Sequence, residues 1–153
     1  MKFQEVKWAI LQHYGVCDTP LVDLTSSLRV ACSFALQHEK ANGYIFVLGF
    51  PYLNGSISYY VDEELLIVKL LSICPPQAVW PYFQDGYLIG TFPTVEPLSS
   101  TFGMDIACRL IAKYRIPRKG FWNKEFPEIS ENALFPPNDD VEKLCGELRE
   151  QLS

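Results

Sequence analysis

No stretch of this chain is apolar over the roughly 20 residues that a membrane-crossing helix needs. The opening segment MKFQEVKWAI also lacks the apolar core and small-residue cleavage site of a secretion signal. The expectation is a cytoplasmic protein with no membrane partner. Close cysteine spacing is missing as well: the five cysteines stand at 17, 32, 74, 108 and 145, with no CxxC pair and no close histidine partner. That pattern predicts buried or incidental thiols in a reducing compartment and no metal site.

Positive charge is scarce. Lys and Arg total 13 against 18 Asp and Glu, a net charge of -5 and a pI near 5.0, so the concentrated positive field of a general nucleic-acid binder is absent. One basic stretch, Lys113, Arg115, Arg118, Lys119 and Lys124, interleaves with Tyr114, Phe121 and Trp122. With no nucleic-acid motif beside it, it reads as a solvated helix end and loop. Internal repeats and low-complexity tracts are also lacking.

What is present is apolar content, 48% of 153 residues with 14% aromatic, enough to offset the entropy of ordering one domain spanning residues 1–153. Eleven prolines and nine glycines make that domain loop-rich. Phe3, Val6, Ile10, Leu11 and Tyr14 share one helical face, predicting a helix over 3–14 that ends at Gly15 and carries His13 near its C-terminus. Ser26 or Ser27 caps a second helix running to about Lys40 and stopped by Asn42-Gly43.

Tyr44 to Phe50 is a continuous apolar run of buried-strand length, and Asn54-Gly55 predicts a tight hairpin from it into a strand over 56–61. Residues 65–73 and 87–92 read as further strands, with Cys74-Pro75-Pro76 ending the first. Met104, Ala107, Leu110, Ile111 and Tyr114 have helical spacing up to a stop at Pro117, and 117–137 reads as irregular. Asp139 with Glu142 three residues on forms a capping-box pattern for a last helix striped by Val141, Leu144, Cys145, Leu148 and Leu152. The sum is an α+β fold, a small and mostly antiparallel sheet flanked by helices.

The chemistry concentrates in Gln12–Leu36, where His13, Asp23, Thr25, Ser26 and Ser27 precede an apolar helix. A histidine switches charge near neutral pH, a carboxylate accepts hydrogen bonds, and a hydroxyl both donates and accepts. The same residues serve equally as a helix-end tie, a turn and a cap. Gln84, before Gly86 and Tyr87, is neutral, so it either orients a ligand rather than removing a proton or belongs to a strand-entry turn in which Gly86 supplies the backbone freedom. Tyr14, Phe34, Trp80, Tyr82 and Tyr87 are either pocket walls or core.

Several of these residues form blocks that resemble the FRG domain family, named for an N-terminal aromatic-Arg-Gly motif. They are His13-Tyr14-Gly15, Thr19, Leu21-Val22, Asp23, Thr25, and Ala31 with Phe34-Ala35; two further blocks are Gln84-Asp85-Gly86-Tyr87 and Leu134-Phe135-Pro136. No aromatic-Arg-Gly motif occurs, Pro20 stands where the family tends to have arginine, and Trp80 or its neighbours replace a second arginine. The order of Leu24 to Ser27, Ala31 to Ala35, Tyr44 to Phe50 and Gln84 is more distantly similar to the ADP-ribosyltransferases. The resemblance implies an ADP-ribosyltransferase-like fold with NAD or another nucleotide as ligand. It further implies His13, Asp23 and Gln84 as catalytic residues, and Tyr14, Thr25, Ser26 and Tyr87 as substrate contacts. The alternative is a non-catalytic binding or sensor module that kept the fold and lost the chemistry.

Overall fold

The computed structural model describes residues 4–38, 41–92 and 106–152. The first helix, α1 (Gln4–His13), buries Val6 and Ala9 and ends as its cap residue predicts. Gly15 adopts φ 62°, its N–H donates to Gln12 O at 2.9 Å, and Val16 N–H reaches Leu11 O at 2.8 Å. This is a Schellman motif, in which a left-handed residue lets two amides close the last helical turn. Strand β1 (Val22–Thr25) follows, then α2 (Leu28–Gln37), capped by the Ser27 hydroxyl, which accepts from Val30 N–H.

Beyond α2 the chain forms β2 (Asn42–Leu48), β3 (Ile57–Tyr60), β4 (Leu65–Lys69), α3 (Leu70–Ile73), α4 (Trp80–Gln84), β5 (Gly86–Thr91), β6 (Leu110–Pro117), α5 (Glu131–Leu134) and α6 (Asp140–Leu152). One antiparallel sheet has the order β1-β5-β4-β3, and a separate antiparallel ribbon joins β2 to β6. The fold is α+β. Among the described residues no helix is long and apolar enough to cross a membrane.

Strand β4 explains the larger sheet. Leu65, Leu66, Ile67 and Val68 are all buried, because both faces of this central strand are covered. Leu66, Val68 and Leu88 pack with Ala9, Leu21 and Leu70 on the α1 side, while Leu65, Ile67 and Ile89 meet Leu24, Phe50, Leu53 and Tyr87 on the other. The ribbon packs separately on α2: Ile45 and Ile116 close over Cys32 and Leu36, with Phe121, Trp122 and Phe126 around them.

Four expectations are corrected. The helix expected over 104–114 is, in its described part, a 3-10 turn (Ala107–Arg109) followed by β6; Met104 lies outside the described residues. Spacing at 107, 110, 111 and 114 suits a helix, but pairing along the whole length of β2 overrides that local preference. The hairpin at Asn54-Gly55 does not join β2 to β3, which lie in different sheets; β3 pairs with β4, and Asn54 N–H donates to Ser58 Oγ at 3.2 Å.

The run 44–50 is not buried on both faces either: Ile45 points inward, whereas Tyr44 and Phe46 are exposed, and Asn42-Gly43 opens the strand. The strand expected over 65–73 ends at Lys69, and Leu70–Ile73 turns into α3, which buries Leu70 in the α1-side core. Lys40, the expected end of the second helix, is outside the described residues, and α2 stops at Gln37. Within 117–137 the short helix α5 stands in a segment otherwise without helix or strand.

Candidate functional site

Asp23 and Thr25 alternate along β1, pairing with Leu88 and Gly86, and so share the sheet face covered by α1. The last residue of α1 meets them there: His13 Nδ1 is 3.4 Å from Asp23 Oδ1, with the histidine side chain 6% exposed and the carboxylate 46%. Gln12 holds the carboxylate from its other oxygen, donating Nε2 to Oδ2 at 3.3 Å. Its own Oε1 accepts from Thr19 N–H at 2.9 Å and Thr19 Oγ1 at 3.0 Å. The Thr19–Gln12–Asp23–His13 chain therefore orients the imidazole, and His13 Nε2 is left buried with no hydrogen-bond partner among the described residues.

Gly86 makes this approach feasible. A Cβ there would stand 3.4 Å from His13 Cε1 and 2.8 Å from Leu70 Cδ1, so the side chain of any other residue would push against the histidine or the core.

His13, Asp23, Thr25 and Gln84 line one cleft of about 920 Å³, walled by Val22, Leu24, Ala31, Phe34, Ala35, Tyr44, Phe46 and Phe135 among others. Four consecutive β1 residues line it because β1 is an edge strand. Tyr44, Ile45, Phe46 and Leu48 of β2 also line it. An adjoining lobe of about 440 Å³ shares Leu24, Thr25, Ala31 and Phe46 and adds Ser26, Ser27 and Tyr87.

The hydrogen bonds decide which polar groups remain for a ligand. Thr25 Oγ1 donates to Gln84 O at 2.7 Å and accepts from Ser27 N–H at 3.1 Å, so it ties β1 to the end of α4. The Gln84 amide donates Nε2 to Leu134 O at 2.9 Å and is buried. Ser26 Oγ donates to the Asp85 carboxylate, and Ser27 is the α2 cap. Thr25 Oγ1 and Gln84 Nε2 are thus committed to the backbone, while Asp23 is half exposed and His13 Nε2 has no partner among the described residues.

Tyr14 is not in the cleft. Successive helical positions point about 100° apart, and one residue beyond His13 the tyrosine is 1% exposed, stacked on Trp80 at 5.1 Å. Its hydroxyl donates to Asp139 Oδ2 at 2.8 Å. Burial, and then the adjacent Asp139 carboxylate, hold its ionisation far above the usual phenol range. Asp139 replaces the expected capping box with something larger. Oδ1 accepts from Val141 and Glu142 N–H, both at 2.9 Å, and Oδ2 also accepts from Val79 and Trp80 N–H at 2.6 and 2.8 Å. Glu142 pairs with Arg149.

Of the aromatic candidates, Phe34 lines the cleft and Tyr87 the adjoining lobe; Trp80 and Tyr82 line neither. Tyr44, Phe46, Phe135 and the bridging Gln12 were not expected as site residues, since the pairing of β2, the return of the Leu-Phe-Pro segment and the docking of α1 on β1 bring them here. Among the described residues no group of three His, Cys, Asp or Glu side chains is placed to hold a metal ion. No family model, curated protein or solved structure matches this chain.

Proposed function

We propose that the chain is a nucleotide-binding domain of the FRG type that holds its ligand in this cleft without transferring it. The observation that carries the reading is His13 in the cleft wall beside a half-exposed Asp23, its Nε2 buried with no hydrogen-bond partner among the described residues. A buried polar atom without a partner is unfavourable by about 1–3 kcal/mol, and a ligand group bonded to it removes that penalty. The remaining lining is aromatic and aliphatic, as a planar ring requires, and the cleft is within the range of small-molecule sites.

NAD is the nucleotide suggested by the family resemblance. Hydroxyls of its ribose match an acceptor such as Asp23 and the nitrogen of His13. Transfer is disfavoured because Gln84 and Thr25, expected to act on the substrate, are already bonded to the backbone. We also place the domain in a reducing, cytoplasmic setting, a reading supported by the free thiols Cys17, Cys32, Cys74 and Cys145.

Calorimetric titration with NAD, ADP-ribose and adenosine tests the reading, alongside His13→Ala. The expected result is saturable binding weakened at least tenfold in the variant. Absence of saturable binding by all three overturns it, and transfer of label from NAD to protein would put catalysis in its place.

A further inference from the structure

A nucleotide carries phosphate, yet the cleft lining contains no lysine or arginine among the described residues. The register of the ribbon supplies both. Directly opposed residues of an antiparallel pair point to the same face; Tyr44 opposes Arg115, and Phe46 opposes Lys113. Tyr44 and Phe46 line the cleft, and Arg115 and Lys113 stand on the face of the ribbon that carries these two rings. Lys113 Nζ lies 4.9 Å from the Tyr44 ring centroid and 5.0 Å from that of Phe46. Both rings are about half exposed, so this cation and its aromatic bed are open to a ligand.

Neither Lys113 nor Arg115 has a carboxylate within ion-pair distance among the described residues, where Arg109, Lys143 and Arg149 are each paired. Among the described residues, no ion pair has to break for an anion to approach them. The basic stretch expected to be a solvated helix end is, at these two positions, a strand bordering the cleft.

We propose that Lys113 and Arg115 form the anion subsite of the cleft. They take the phosphate of a nucleoside mono- or diphosphate whose ring system lies against the aromatic wall. The ammonium acts as a point charge, and the guanidinium offers a fork for two phosphate oxygens. This inference rests on the nucleotide reading above and names the part of the ligand that His13 and Asp23 do not explain.

The test is a calorimetric series of adenosine, AMP and ADP with the wild-type chain, the double variant Lys113→Gln/Arg115→Gln and the control Lys124→Gln. Affinity should rise about tenfold or more from adenosine to AMP in the wild type and control. In the double variant that increment should vanish while adenosine affinity stays the same, which also reports an intact cleft. Adenosine binding with no increment, or an increment that survives in the double variant, overturns the subsite and leaves the nucleotide reading standing. Failure of all three ligands overturns the subsite, and the nucleotide reading falls with it if NAD and ADP-ribose also fail to bind. Binding of a single-stranded hexanucleotide where AMP and ADP fail would make the ribbon a nucleic-acid surface and also overturn the subsite.

Discussion

The hydroxyl of Tyr14 donates to Asp139 at 2.8 Å across 125 positions of chain, so the end of the first helix and the cap of the last are one structure. The same carboxylate also receives the amides of Val79, Trp80, Val141 and Glu142. Bonds to a buried charged acceptor are the strong ones, and deleting the acceptor leaves several buried donors empty. Asp139→Ala should lower stability by about 3 kcal/mol or more, and Tyr14→Phe by about 1–2 kcal/mol. Urea denaturation measures both, and equal small losses would show the hub to be unimportant.

Alkaline pH should weaken the fold through the same region. Burial, followed by the charge of Asp139, pushes the Cys74 thiol up from 9.0 to about 12, and Tyr14 is raised in the same direction from 10.0. Both groups keep their protons in the folded state at pH values where the unfolded chain releases them. Stability is therefore fully present below pH 9 and falls as pH rises from 9 towards 12 and beyond. Melting temperatures from pH 7 to 11 should bend downward above 9, and less steeply in Cys74→Ala.

His13→Leu separates binding from stability. The substitution removes a buried nitrogen without a partner together with a long, partly exposed contact to Asp23. The ligand-free protein should change by no more than about 1 kcal/mol, while nucleotide affinity falls tenfold or more. A large loss of stability without ligand would make His13 structural.

Two glycine substitutions should fail for different reasons. Gly15→Ala has open space around its new carbon but keeps φ 62°, a backbone strain of about 1 kcal/mol. Gly86→Ala meets Leu70 at 2.8 Å and His13 at 3.4 Å, an overpacking effect of roughly 1–3 kcal/mol. Gly86→Ala alone should also weaken nucleotide binding, because the shift it forces on Leu70 is made against the wall where His13 stands. Equal affinities for the two variants would contradict the placement of His13.

Much of the local structure was readable from composition and spacing. Gly15 ends α1, Ser27 starts α2, Asp139 starts α6, and the apolar runs at 65–69 and 87–91 are strands. Each depends on groups within a few residues of one another. Strand β6 was misread because Leu110, Ile111 and Tyr114 satisfy helical spacing as well as an edge strand, and the partner that settles the matter is about 70 residues earlier. At the site, His13, Asp23, Thr25 and Gln84 do line one cleft, but Tyr14 turns away into the core.

The sequence by itself determined where α1 ends, where α2 and α6 begin and that the apolar runs at 65–69 and 87–91 are strands, since capping and periodicity act through near neighbours. Tertiary structure alone decided which polar groups a ligand can use. Thr25 Oγ1 and Gln84 Nε2 donate to the carbonyls of Gln84 and Leu134, each contributed by a segment at least 50 residues away, whereas His13 kept one nitrogen without a partner among the described residues. A side chain's capacity to bind depends on the hydrogen bonds left after folding, and those partners are brought by distant parts of the chain.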